Sequence, residues 1–219
     1  MTNFYFIRHG KTEWNLQSRY QGAHGDSPLL PESYHEIALL AKFLAPIPFV
    51  HAYASPIQRA RRTSECLVED LPGQIPLTFD SRLREFDLGK MEGMKFTKVE
   101  EQWPGVEQNF HYHADRYDER IVGGESFSAV IKRFGAAIRE YARNYPNDVN
   151  ILIVSHGAAL NAGVNGLLGV DLAHLKDRGG LSNTSTTVLT TDDAQHFKLK
   201  VWNETDYLHK TKVDPTDTI

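Results

Sequence analysis

The amino-acid sequence predicts an α/β fold in which a mainly parallel sheet lies between layers of helices. Three short apolar runs, 3–7, 49–54 and 150–154, are rich in Val, Ile and aromatic residues and have the length of strands buried on both faces. Helical patterns lie between these runs, and strands that alternate with helices are typical of parallel sheets. Each run ends in polar or glycine residues, so we expect the chemically active side chains at the strand ends.

Two helices are indicated by apolar residues that recur at intervals of three and four. The first pattern occupies residues 37–44, and the second, longer pattern occupies residues 127–145. Ser126 is the expected N-cap of the second helix, because its hydroxyl can accept a hydrogen bond from a free backbone N–H of the first turn. Pro146-Asn147 is the expected stop.

The remaining patterns concern the edge of the sheet and one unusual segment. Residues 186–191 and 197–202 flank a turn-like stretch and are predicted to pair as a hairpin. Residues 86–124 have neither a helical nor an alternating period and are crowded with His, Tyr, Trp and charged residues. A chain of 219 residues fits one large domain. We expect a single domain, 1–219, with an irregular, lid-like insertion at about residues 90–124.

Composition excludes several classes of partner. The formal net charge of -4 gives no basic face for nucleic acid or for an anionic membrane. The single cysteine, Cys66, excludes an intrachain disulfide and a cysteine-built metal site, which favours a reducing compartment. The N-terminal MTNFYFIRHG has no cleavage pattern, and no run approaches the roughly 20 apolar residues of a membrane span. We therefore expect a soluble, cytoplasmic protein.

The ends of the predicted strands share one chemistry. In an open α/β sheet, ligands bind outside the carboxyl ends of the strands. The first run ends in Arg8-His9 and the third in His156, and a glycine follows each histidine. The second run leads into a helix start that is rich in arginine and contains Arg59, and the segment after residue 79 supplies Glu85. These five side chains are predicted to converge at one edge of the sheet.

Two guanidinium groups and two imidazoles around one cavity describe a site for a phosphoryl group. The planar fork of arginine matches phosphate oxygens bidentately and is always charged. A neutral imidazole is a nucleophile that can form a phosphohistidine, which divides one slow displacement into two easier ones. Glu85 can then protonate the leaving group and later activate water, if a neighbouring phosphate raises its pKa.

Each of these residues alone also fits an ordinary structural role. A lone histidine is commonly a hydrogen-bonding core residue, and a lone glutamate is a charged loop residue. Helical geometry prevents Arg59, Arg61 and Arg62 from pointing in the same direction, so at least one is expected on the surface. The functional prediction therefore depends on all the groups occurring together.

Five ordered segments resemble the motifs of the histidine phosphatase superfamily, also called the phosphoglycerate-mutase-like family. They read FIRHGKTEWN, YQGAHGDSPL, ASPIQRARRTSE, LREFDLGKMEG and ILIVSHGAAL. The resemblance implies a three-layer α/β/α sandwich of the phosphoglycerate-mutase type. The chain departs from the family pattern at Lys11 and Met91, where we expect altered packing and rim charge and no loss of chemistry.

The resemblance also implies roles for individual residues. His9 would be the phosphorylated nucleophile, Glu85 the proton donor, and Arg8, Arg59 and His156 the phosphate pocket. Four further residues would line the same mouth, namely Thr12, Asn15, Gln21 and Gly22. No metal and no cofactor are implied, apart from a bisphosphoglycerate primer if the chain is a mutase. The expected ligand is a small phosphomonoester, and the sequence leaves the oligomeric state open.

The sequence leaves four functions open. Hydrolysis is favoured over phosphoglycerate mutase activity, because the segment between Gly93 and Gly124 is short and lacks the Arg-Arg-Ser-Tyr-like run of the mutases. A noncatalytic module that only binds a phosphate ligand is disfavoured, since all five central residues are present. A metallohydrolase is disfavoured because the sequence lacks ligand spacing such as His-x-Glu-x-x-His, and arginines at the strand ends would repel a cation.

Overall fold

The computed structural model describes residues 1–145 and 148–210 and contains a six-stranded sheet flanked by helices. The strands are β1 (Thr2–Arg8), β2 (Phe49–Ala54), β3 (Leu77–Phe79), β4 (Asn150–Ser155), β5 (Thr186–Thr191) and β6 (Phe197–Glu204). Their order across the sheet is β3-β2-β4-β1-β5-β6. The first four strands in that order are parallel to one another. Strand β5 is antiparallel to both of its neighbours, β1 and β6, and its pairing with β6 is the predicted hairpin. The structure confirms the mainly parallel sheet.

The helices connect the parallel strands and cover the sheet. They are α1 (Glu13–Leu16), α2 (Pro31–Leu44), α3 (Gln58–Asp70), α4 (Phe96–Gln102), α5 (Val106–Tyr112), α6 (Phe127–Asn144) and α7 (Gly157–Leu167). Both helices predicted from periodicity are present, as α2 and α6. Ser126 caps α6 as expected, with its hydroxyl accepting from the N–H of Ala129. The predicted stop at Pro146-Asn147 lies outside the described residues.

Two hydrophobic clusters lie on opposite faces of the sheet. On one face, Phe6 and Ile153 pack against α6 and α7. On the other face, Leu152 and Val154 pack against α2 and α3. Consecutive strand residues point to opposite faces of the sheet, and every residue of β4 from Ile151 onward is buried. Strand β4 is therefore covered on both of its faces. This arrangement confirms the predicted three-layer α/β/α sandwich.

The segment predicted to be an irregular insertion has more regular structure than its sequence pattern indicates. It contains the short helices α4 and α5, together with 3₁₀ turns at Ala114–Arg116 and Glu119–Ile121. Its apolar residues form a third buried cluster with Tyr20, Phe86 and Phe127, and this cluster includes the fully buried Met91. Helices of seven residues are too short to show a periodic stripe, so the sequence did not reveal them.

Within residues 1–145 and 148–210, no helix has the length and apolar character needed to cross a membrane.

Candidate active site

The pairing of β1 with β4 brings the two histidines together. These strands are parallel neighbours, and their register sets Arg8 opposite Ser155, so the residues that follow, His9 and His156, leave the sheet side by side. Their ring centroids are 5.2 Å apart with an interplanar angle of 63°. Both side chains are buried. The predicted convergence of the two imidazoles is therefore present.

The hydrogen bonds of His9 fix its tautomer. Nδ1 lies 2.8 Å from the carbonyl oxygen of Gly10, which can only accept, so Nδ1 carries the proton. Nε2 lies 3.2 Å from Nε of Arg59, which can only donate, so Nε2 presents a lone pair. Burial lowers the pKa of His9 well below its usual value, and the charges of Arg59 and Arg8 lower it further. The ring is consequently neutral at pH 7, with its free electron pair directed into the site.

His156 is held in the same site by the hydroxyl of Ser55, which lies 2.7 Å from its Nε2. Its other ring nitrogen, Nδ1, is buried and makes no hydrogen bond to any described residue. Burial, then the nearby Arg59 and His9, lower the pKa of His156 well below its usual value. The sequence placed Ser55 only at a helix start; its contact with His156 depends on the neighbouring strands β2 and β4.

Arg59 is fully buried and uses all five of its N–H bonds within the protein. In addition to the Nε–H donated to His9, NH1 donates to the carbonyl of Gly25 at 2.9 Å and to the carboxylate of Asp26 at 3.1 Å. NH2 donates to the carbonyls of Gln21 and Gly22 at 2.9 and 3.1 Å. An incoming phosphate must therefore exchange with acceptors from the loop 21–26.

The helix that carries Arg59 separates it from the other arginines of its motif. Arg61 and Arg62 are exposed and pair with Glu65, at 2.9 and 3.8 Å respectively. The expectation that at least one of the three lies on the surface is confirmed.

Arg8 is buried beside the start of α7. It is 2% exposed, and its NH1 donates to the carbonyl of Leu181. Its guanidinium lies against the backbone of Gly157, where a Cβ atom would come within 3.1 Å of Cζ of Arg8. The glycine after the second histidine therefore has a steric reason: it leaves room for the buried guanidinium.

Glu85 lies at the N-terminus of α7. Its Oε1 accepts from the N–H of Ala159 at 2.7 Å and of Phe86 at 3.0 Å, and its Oε2 accepts from the N–H of Ala158 at 3.1 Å. Burial raises the pKa of Glu85, while these backbone bonds and the charge of Arg59 oppose that rise. The raised pKa arises in the protein itself, whereas the sequence argument relied on a bound phosphate to produce it.

The four residues expected to line the mouth form one buried network beside Arg59. Thr12 and Asn15 cap α1 reciprocally, and the Thr12 hydroxyl lies 2.9 Å from Oε1 of Gln21. Gln21 and Gly22 both accept from Arg59 through their carbonyl oxygens. These side chains have little exposure, so any contact with a substrate requires the loop to move, and their role as lining residues stays a prediction.

Glu92 is a residue of this region that the sequence argument did not select. Its Oε2 accepts from the N–H groups of Gly22 at 3.0 Å and Gly25 at 2.8 Å, and its Oε1 accepts from that of His24 at 3.2 Å. One carboxylate thus holds the loop whose carbonyls cover Arg59. Glu92 lies in the motif-like segment LREFDLGKMEG, but nothing in that segment indicates a contact with the loop 21–26.

An open cleft leads to Glu85. Its volume is about 510 Å³, and it is lined by Ala23, Arg84, Glu85, Asp87, Glu119, Gly124, Glu125, Ser126, Ala129 and Arg133. The side of the site that faces Glu85 is therefore accessible to a small organic group.

The whole arrangement is suited to an anion. Two buried guanidiniums, those of Arg8 and Arg59, act electrostatically on two buried, neutral imidazoles, and the carboxyl group of Glu85 lies near enough to Arg59 to interact with its charge. Within residues 1–145 and 148–210, no group of three or more His, Cys, Asp or Glu side chains is placed to ligate a metal ion. Such a site can bind a phosphoryl group, attack it with Nε2 of His9 and protonate what leaves.

Comparison with known sequences gives the same indication. The model of the Histidine phosphatase superfamily (branch 1) matches residues 4–205. A probable phosphoglycerate mutase, GpmB, of Salmonella paratyphi A is 32% identical over 195 residues, which cover 89% of this chain and 87% of that protein.

Comparison with solved structures identifies the same fold. YhfR of Bacillus stearothermophilus has a TM-score of 0.87 and 28% identity, with 95% of this chain and 100% of that chain covered. A mycobacterial glucosyl-3-phosphoglycerate phosphatase, solved with VO3, has a TM-score of 0.83 and 27% identity, with 93% and 99% covered. The similar proteins thus include both a probable mutase and a phosphatase.

Proposed function

The chain belongs to the histidine phosphatase superfamily, and on this premise we propose that it is a metal-independent phosphatase that hydrolyses a small phosphomonoester through a phosphohistidine on His9. The observation that carries the proposal is the tautomer of His9. Its Nδ1–H is bound to the Gly10 carbonyl, and its Nε2 lone pair faces the Arg59 guanidinium, where a phosphate would be held.

In the first step, Nε2 of His9 attacks phosphorus and the bond to the leaving oxygen breaks. The Nε–H of Arg59 moves from the His9 lone pair to a phosphoryl oxygen. Arg8, Arg59 and His156 stabilise the charge on the equatorial oxygens, which is the main requirement of phosphoryl transfer. Protonated Glu85 gives its proton to the leaving alkoxide, and the products are a phosphohistidine and an alcohol.

In the second step, water attacks the phosphohistidine. Glu85, now a carboxylate, takes a proton from the water as the P–N bond breaks. Inorganic phosphate leaves, and His9 recovers its lone pair at Nε2 while keeping its proton at Nδ1. The accessible cleft at Glu85 supports this step, because water reaches the site from the side where the base lies.

Hydrolysis is the proposed reaction, and phosphoglycerate mutase activity is the second candidate because of the 32% identity to a probable mutase. A mutase must keep its phosphoenzyme from water until the intermediate has turned over. The open cleft and the short segment between Gly93 and Gly124 support hydrolysis, as does the similarity to the mycobacterial phosphatase.

The nucleophile is tested with His9→Ala and p-nitrophenyl phosphate as the substrate. We expect this variant to lose turnover by roughly 10⁴-fold or more, since the covalent route is removed, while its circular dichroism and unfolding midpoint stay near those of the parent. His35→Ala, at an exposed position of α2, is the control and should retain full activity. Substantial turnover by His9→Ala would assign the nucleophile to another residue.

The two candidate reactions are separated by a panel of phosphomonoesters assayed with chelator and without added metal. Release of inorganic phosphate supports the phosphatase. Conversion of 3-phosphoglycerate to 2-phosphoglycerate that depends on a bisphosphoglycerate primer, with little phosphate released, would support the mutase instead.

A further inference from the structure

Lys176, in the loop after α7, carries a charge that the proposed reaction does not use. Its side chain is partly buried, and Nζ lies 5.5 Å from the ring centroid of Phe110 and 5.1 Å from that of Phe127. No described residue forms a hydrogen bond or an ion pair with this ammonium group. It is therefore a cation that lies over two adjacent aromatic rings, whose centroids are 5.5 Å apart, with no anionic partner within the described part of the chain.

Such a placement has an energetic cost. Burial lowers the pKa of Lys176 to about 8, and the charge of Glu85 partly opposes that fall. The ammonium group is still protonated at neutral pH, although its surroundings disfavour the charge. Contacts with two aromatic faces stabilise the cation, but they leave its charge unneutralised. An anion that entered beside Lys176 would find a donor that has already lost much of its hydration.

The position of Lys176 connects it to the proton donor. Phe110 and Phe127, the rings beneath its ammonium group, both pack on Phe86, with centroid separations of 5.4 and 4.9 Å. Phe86 directly follows Glu85, and its N–H donates to the Glu85 carboxylate. The ammonium group therefore belongs to the Glu85 side of the site, where the proposed mechanism places the leaving group.

We propose that Lys176 is a specificity-determining residue that binds a second anionic group, a carboxylate or a further phosphate, on the leaving portion of the substrate. This inference rests on the proposed function, since that function defines which side of the phosphoryl group leaves. The substrate class is thereby narrowed to phosphomonoesters whose alcohol portion is itself acidic. A neutral alcohol portion would leave the lysine without a partner.

The test compares substrates that differ only in the second anion. One pair is 3-phosphoglycerate and glycerol 3-phosphate, and the other is fructose 1,6-bisphosphate and fructose 6-phosphate. Lys176→Met keeps the apolar stem against the two rings and removes the charge. We expect this variant to raise KM by roughly 10–100-fold for the substrate of one pair that carries the second anion, which is the range of a charged hydrogen bond. The kcat for that substrate, and the KM for the substrate without the second anion, should stay within about twofold of the parent's values.

The affected pair identifies the anion as a carboxylate or a phosphate. Lys176→Arg should recover most of the lost selectivity, because it restores the charge. Lys132→Met, at an exposed position of α6, is the matched control and should leave all KM values unchanged. Equal increases in KM for both members of each pair would overturn the proposal, since the lysine would then act on the shared phosphoryl group. Unchanged KM values would also overturn it and leave the lysine an anchor for its loop.

Calorimetry with variants that do not turn over separates this inference from the proposed function. Binding of 3-phosphoglycerate, glycerol 3-phosphate and the two fructose phosphates is measured in His9→Ala and in His9→Ala with Lys176→Met. Preference for the acidic member in the first variant and its loss in the second would support Lys176 whatever the nucleophile is. Absence of any such preference in His9→Ala would overturn the inference, even if the chain proves to be a phosphatase.

Discussion

At the scale of single residues, the site depends on two opposite pKa shifts that arise from the same cause. Burial disfavours the charged form of each group, so it lowers the pKa of His9 and raises that of Glu85. His9, the proposed nucleophile, is thereby kept neutral, and Glu85, the proposed acid, is kept protonated to a higher pH than an exposed glutamate. Both states are those that the first step of the proposed mechanism requires.

Glu85→Gln tests the acid role. The variant should lower kcat/KM by roughly 10²–10⁴-fold for alkyl phosphates, whose alkoxide needs a proton, and by less than about tenfold for p-nitrophenyl phosphate, whose phenolate leaves unaided. Across a series of aryl and alkyl phosphates, the variant should therefore show a steeper dependence of log(kcat/KM) on the pKa of the leaving group than the parent does. Glu119→Gln, in the same cleft, is the control. Equal slowing across the series would remove the acid role from Glu85.

The two pKa shifts also give the sign of the pH dependence. For alkyl phosphates, the parent's kcat/KM should fall as pH rises through the raised pKa of Glu85, because the proton donor is lost. Acidification below pH 6.5, the usual imidazole pKa, should cause no loss from His9, since its folded pKa lies well below that value. The Glu85→Gln variant should lack the fall with rising pH.

At the scale of elements, the loop 21–26 covers Arg59, a residue of the proposed phosphate site, and is held by the carboxylate of Glu92. Glu92 accepts backbone N–H groups of the loop, and the loop's carbonyls accept from Arg59. In Glu92→Gln, one of the two accepting oxygens is replaced by an NH₂ group, which cannot accept from the backbone N–H groups of the loop. We expect the free energy of unfolding to fall by about 1–3 kcal/mol and amide exchange at Gly22 and Gly25 to accelerate.

Hydrogen exchange and urea unfolding measure these effects. Glu101→Gln, which removes only an exposed pair with Lys98, is the matched control and should change stability by less than about 1 kcal/mol. Unchanged protection of Gly22 and Gly25 in Glu92→Gln would show that Arg59 alone holds the loop.

The elements that the sequence predicted are those with local signals. The strands β1, β2 and β4 have compact apolar runs, and α6 has a long stripe and a side-chain cap. Convergence of the histidines was also predictable, because parallel strands bring their carboxyl ends to one edge. The contacts of Glu92 and Lys176 could not be predicted from the sequence, since each joins residues that are remote in the chain. No local sequence pattern indicates the hydrogen bonds between Arg59 and the carbonyl groups of the loop 21–26 either.

At the scale of the whole molecule, the site depends on how closely the helical layer packs on the sheet. Helices α6 and α7 lie on the same face, and α7 begins at the second histidine, so its position also sets that of Glu85. Gly163 of α7 lies against the ring of Phe134 from α6, which in turn packs on Phe6 of β1 with centroids 6.0 Å apart. A shift of α7 would therefore be transmitted to the catalytic cluster.

Two glycine substitutions in this layer should have effects of opposite sign. In Gly163→Ala, the added Cβ would lie 2.3 Å from Cδ1 of Phe134, and that ring is fully buried in the core, so we expect a loss of about 1–3 kcal/mol. In Gly135→Ala, the nearest atom is NH1 of Arg139 at 2.7 Å, the end of a flexible side chain that can move aside. Helix propensity then predicts a gain of about 0.5–1 kcal/mol.

Urea unfolding at fixed temperature measures both changes, with the free energy extrapolated linearly to water. The same chemical change is made in two helices of one layer, so a general effect of alanine on helix stability cannot produce opposite signs. Gly163→Ala should also lower turnover of p-nitrophenyl phosphate, the substrate of the proposed activity, because displacement of α7 moves the N–H groups that bind Glu85. Stabilisation by both substitutions would mean that Phe134 can move away from α7 and that the contact between the helices does not fix the geometry of the site.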